Sequence, residues 1–200
     1  MTKLCETDRI NYAVNLCKNN QMEFNFCDSY NKVKNLVKEC FDQLCEIPGY
    51  NGQKIKYEIV DVNFNNKITH LKEGECFFIK FTSDGYVVVV GAGYDFGMSM
   101  NEKYLNVKII KELGKNWSNK AILIFVKGIK PVNGHCGAGK EGCDHLLQCR
   151  NGVEMYLGEY LLIKEVPILN LYSHKNYSKK YFEDNIKDNI KDNIKKVMKK

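Results

Sequence analysis

The chain predicts an α+β protein: an N-terminal helical hairpin packed on a curled, mostly antiparallel sheet or β-barrel, with a charged C-terminal tail. Three observations carry this. Apolar residues recur at helical spacing up to residue 46, and a period of two takes over from residue 54. Turn signals such as Ser83-Asp84-Gly85 and Asn151-Gly152 then join the strand-like runs.

Residues 7–19 read as an amphipathic helix, with Thr7 as N-cap and Ile10, Ala13, Val14 and Cys17 on one face. Residues 28–46 repeat the pattern more strongly. Asp28 is the expected cap, and Tyr30, Val33, Leu36, Val37, Cys40, Phe41 and Leu44 form one wide stripe that Pro48-Gly49 ends. Lys54–Val62 alternates as a half-buried strand. Glu75–Thr82 and Tyr86–Val90 form the first hairpin. Asn101–Leu113 suits a short helix, with a strand at 105–110 as its competitor, and Ala121–Lys127 is a buried strand. His145–Arg150 and Val153–Val166 are expected to flank the Asn151-Gly152 turn as a second hairpin, and Ile168–Tyr172 to add a last strand. The expected organisation is a hairpin over residues 1–50, a barrel-like unit over 54–173 and a lysine-rich tail over 174–200.

Composition excludes some function classes. With 44% hydrophobic residues the chain can bury one sizeable core. No run approaches the ~18 apolar residues of a membrane span, and the N-terminus carries no apolar signal region. An intracellular protein, cytoplasmic or nuclear, is expected, its nine cysteines reduced. The net charge of +6 is mostly a property of the tail, where nine lysines outnumber four acids from Lys175 onward. There the repeat D-N-I-K places Ile186, Ile190 and Ile194 four residues apart, which reads as a frayed helix or a solvated arm. Only two arginines occur, Arg9 and Arg150.

Residues 135–149 concentrate His135, Cys136, Cys143, His145 and Cys149. Cys136, Cys143, His145 and Cys149 are the candidate ligands of a structural zinc, although no C-x2-C knuckle is present. The plainer alternative is a glycine-rich loop with incidental thiols. Gly134, Gly139 and Lys140 approach a phosphate loop, but Glu141 stands where Ser or Thr must hold magnesium. Nucleotide hydrolysis is rejected on that ground. Gly91 and Gly93 lack the β-α-β frame of a dinucleotide site. Cys136 with His145 could be drawn as nucleophile and base, yet no signature surrounds them, and a non-enzymatic protein is expected.

The most informative stretch is Y-V-V-V-V-G-A-G-Y-D-F-G, Tyr86 to Gly97: a stiff strand, a glycine hinge, then Tyr94, Asp95 and Phe96. Together with Tyr156-Leu157-Gly158-Glu159-Tyr160, this segment resembles the SRA domains, PUA-like β-barrels that read modified cytosine flipped from DNA. The resemblance spans about residues 68–172 and implies a base pocket in which Tyr94 stacks, with Asp95, Phe96, Tyr86 and Tyr156 as further ligand-binding candidates. The family's acidic pair falls at Phe96 and Gly97, so Asp95 would have to supply the carboxylate. The expected function is a nucleic-acid-binding module that reads a modified or flipped base in DNA. The alternative is a protein-interaction or regulatory protein using the N-terminal helices.

Overall fold

The computed structural model describes residues 5–19, 25–63, 73–93, 103–130 and 146–170. These contain four helices, α1 (Glu6–Asn19), α2 (Phe26–Cys45), α3 (Leu105–Glu112) and α4 (Arg150–Ile163). Four strands accompany them: β1 (Lys56–Asn63), β2 (Glu75–Thr82), β3 (Val87–Ala92) and β4 (Trp117–Lys127). They pair antiparallel in the order β1-β4-β2-β3, an open sheet.

Sequence explains the order. Ala121–Val126 is apolar at every position, so β4 must be covered on both faces and takes a central place beside β2. β1 alternates and exposes Lys56 and Glu58, as an outer strand can. At the other edge the chain after α4 comes back to β3. Leu169 and Asn170 donate their backbone N–H groups to the carbonyls of Val87 and Val88, each at 2.9 Å.

One sheet face holds Phe77, Ile79, Val90, Ile122, Ile124 and Val126 against α2 and α4, and this is the main core. The opposite face carries Cys76, Phe78, Val89, Leu123 and Phe125, all buried, together with Lys80. Here Gly91 lies opposite Phe78 in register, and the Phe78 ring occupies the space a Cβ would need. A third cluster joins α1 and α3 through Ala13, Tyr86, Val88, Ile109, Ile110 and Leu169.

The apolar stripe of α2 from Tyr30 to Leu44 is buried as its spacing implies. The caps differ: Asn25, not Asp28, accepts the N–H of Cys27 at 2.9 Å, and Asp8 accepts the N–H of Cys5 at 3.0 Å. α1 packs on α3 and α2 on α4, so each of the first two helices has its own helical partner. Three tyrosine–carboxylate–lysine groups fix α2 further. Tyr30 donates to Asp61 at 2.9 Å while Lys34 pairs with the same carboxylate at 2.6 Å. Tyr57 donates to Asp42 at 2.5 Å beside Lys38 at 2.6 Å. Tyr160 donates to Glu39 at 3.1 Å beside Lys164 at 3.4 Å. Exposed ion pairs contribute little singly, but each here shares a carboxylate with a phenol that fixes its position. Burial and the adjacent carboxylates push the Tyr30 and Tyr57 hydroxyls well above their usual range.

Three expectations are corrected. The second hairpin does not form, because residues 150–163 are helical and Asn151-Gly152 lies in the first turn of α4. Val153, Tyr156, Leu157, Tyr160 and Leu161 are buried at i, i+3, i+4, i+7 and i+8, and that stripe against α2 outweighs the turn signal. The Y-x-G-x-Y run is therefore helical, not the strand that the SRA resemblance implies. Of the last expected strand, Ile168–Tyr172, the described residues 168–170 contribute a single parallel bridge of Ile168 with Val87. Of the two forms expected, an antiparallel sheet or a barrel, the four strands of the described residues form an open antiparallel sheet, not a closed barrel. None of the described helices is long and apolar enough to cross a membrane.

Candidate functional site

β1 and β2 begin, and β3 and β4 end, at the same end of the sheet. The turn after β4 is locked there against the loop after α2. Tyr50 donates its N–H to the carbonyl of Gly128 at 2.8 Å, and Gly49 donates to Gln53 at 2.8 Å. This knot presents a group of cations. Lys56 and Lys127 are exposed and directly opposite each other in the β1–β4 register, an arrangement that like charges disfavour. Lys54 is exposed just before β1, and its carbonyl lies against Gly128. Lys127 also reaches Glu73 at 2.8 Å and holds that carboxyl below its ordinary range. Lys130 lies over the Tyr50 ring, 5.8 Å from its centroid.

Arg150, the first residue of α4, joins this end because Lys130 and Cys149 form a parallel bridge. One of its terminal nitrogens sits 3.8 Å from the Glu75 carboxylate, both side chains being largely buried. Glu154 follows one turn later on α4. Burial pushes its carboxyl up to about 7, against the opposing pull of Arg150.

β3 leaves the sheet at this same end. Gly93 donates its N–H to the Cys76 carbonyl at 2.8 Å and has φ +135°, and nothing stands within 4 Å of where a Cβ would be. Glycine is needed there for its backbone angle, not for space. Tyr94, Asp95 and Phe96 come next in the chain and lie outside the described residues.

The other candidates are placed elsewhere. Tyr86 is buried at the far end of the sheet, in the cluster that Cys17 packs against, with its ring under the Lys115 ammonium at 4.7 Å. Tyr156 is buried between α4 and α2 and donates to Gln43 at 3.2 Å. Both side chains are buried in the packing of the described residues. Cys149 is buried at the start of α4, where its side chain caps nothing. Cys136, Cys143 and His145 lie outside the described residues, among which no group of three metal-ligating side chains is found.

The sequence reading missed Lys80, Arg150 and Glu154. Lys80 interrupts an otherwise apolar run, C-F-F-I-K-F, and is fully buried between the rings of Phe78 and Trp117 at 5.9 and 5.8 Å. Arg150 had its rarity as a signal. No family model, curated protein or solved structure matches the chain.

Proposed function

We propose that the chain is a nucleic-acid-binding module that takes the phosphate backbone on the lysine end of its sheet and a base on the residues after β3. The observation that carries this is the in-register pair Lys56 and Lys127, with Lys54 beside it, at the end where β3 hands the chain on to Tyr94. Like charges set side by side are relieved by a bound polyanion, and released counterions add to the affinity. A tyrosine following a stiff strand and a glycine hinge suits stacking on a base, which is tolerant of sequence and needs only an aromatic face. The resemblance to SRA domains supports modified cytosine as the base, and it rests on the Val88–Gly97 segment alone now that Tyr156–Leu162 is helical.

A protein-interaction reading has one favouring observation. β1 is an outer strand, whereas the residues after α4 pair along β3, so an extended partner would add to β1. The charges of Lys56 and Glu58 on that strand oppose such pairing.

Fluorescence anisotropy separates the two, using duplexes with and without a modified cytosine. Tyr94→Ala is expected to lower affinity for the modified duplex by about tenfold or more, the worth of one stacked base, with an unchanged melting temperature. Equal affinity for both duplexes, unaffected by Tyr94→Ala, would refute base reading.

A further inference from the structure

We propose, on the reading above, that Arg150 grips a phosphate at this end of the sheet and that Glu154 makes the grip tighten as pH falls. Arg150 is one of only two arginines in the chain, and its guanidinium is poorly matched at home. The Glu75 carboxylate stands at 3.8 Å, longer than a direct hydrogen bond. Its Nε is buried and meets no acceptor among the described residues. The side chain keeps 25% of its surface exposed, and the terminal nitrogens of a planar guanidinium suit the oxygens of a phosphate, which they can engage through two parallel bonds.

Glu154 decides when the offer is open. Arg150 on the same helix acts on the Glu154 carboxyl, Glu75 reaches the same guanidinium from β2, and Lys130 is bridged to Cys149 next to it. Because burial holds the Glu154 carboxyl near 7, it competes for the guanidinium as an anion above that pH and withdraws as a neutral acid below it. An arriving phosphate raises the carboxyl further, so binding takes up a proton and affinity falls as pH rises through 7. The ligand chemistry is a phosphate oxyanion, either in a nucleic-acid backbone or free.

The test uses the full chain with a duplex oligonucleotide and, separately, inorganic phosphate, at about pH 6 and about pH 8. Wild type should bind the duplex severalfold more tightly at the lower pH, and Glu154→Gln should bind equally at both. Arg150→Gln should lose about tenfold in affinity and about one unit of salt slope, while Arg150→Lys, which keeps the charge and guards against a folding defect, should lose less. Wild-type duplex binding that neither Arg150 variant alters would overturn the inference and leave the reading above intact. Binding of inorganic phosphate with the same Arg150 dependence, but none of duplex, would keep the inference and refute that reading. A pH dependence that survives Glu154→Gln would remove Glu154 from the account.

Discussion

Gly128→Ala is expected to destabilise the protein by about 4 kcal/mol and lower its melting temperature by roughly 10 °C. Gly128 has φ +83°, a left-handed angle that alanine adopts only under strain. The added Cβ would also overlap the carbonyl oxygen of Lys54 and come within 3.1 Å of the Ile55 Cα. Neither obstacle is the end of a flexible side chain, so the two loops must part. The 2.8 Å bond from Tyr50 N–H to the Gly128 carbonyl would go with them. Because this knot sets Lys54, Lys56 and Lys127 side by side, duplex affinity should fall as well, even below the melting transition. Thermal denaturation by circular dichroism checks the first effect. A variant that melts with the wild type would show that the loops are not locked as described.

Lys80→Met is expected to raise stability, by about 1–3 kcal/mol at neutral pH, and to alter its pH dependence. The ammonium is fully buried, and desolvation pushes it from its ordinary 10.5 down to about 8. Between those values the unfolded chain holds more protons than the folded one, so this group makes stability rise with pH across that window. Below about 8 the charge is carried into the sheet face at full cost, about 3 kcal/mol by the size of the shift. Contact with the rings of Phe78 and Trp117 recovers part of that, which is why the expected gain is smaller. The Cys76 thiol, pushed up to about 12 by burial, acts in the opposite sense, losing stability as pH rises through the upper part of the range. The wild-type minus variant difference in urea unfolding cancels such terms. A difference that stays flat from pH 8 to 10.5 would show that Lys80 is not the group responsible.

What was legible in the sequence follows from how strongly local pattern and tertiary need agree. The wide stripe of α2 and the unbroken apolar run of β4 each admit one solution, and both were read correctly. The α4 segment carried two signals at once. Asn151-Gly152 is a good hairpin turn, yet Val153 to Leu161 also fits a helical period, and the choice depends on whether α2 offers a surface. That surface is a long-range property no local window contains. The same limit applied to the candidate site. Tyr86 and Tyr156 were singled out as aromatic residues in motifs, and both are spent on packing. The in-register lysines and the Arg150–Glu75 approach arise from chain segments far apart in sequence, so only pairing of β1 with β4, and of Lys130 with Cys149, brings them together.

The salt dependence of duplex affinity tests the lysine end most directly. A variant combining Lys54→Gln, Lys56→Gln and Lys127→Gln should be compared with one combining Lys103→Gln, Lys111→Gln and Lys120→Gln, exposed lysines placed away from the knot. The first set should flatten the plot of log affinity against log salt by about two to three units, and the second by less than about one. Equal flattening by both sets, or none by the first, would mean that any nucleic acid is held by diffuse charge and that this end of the sheet has no special part in binding it.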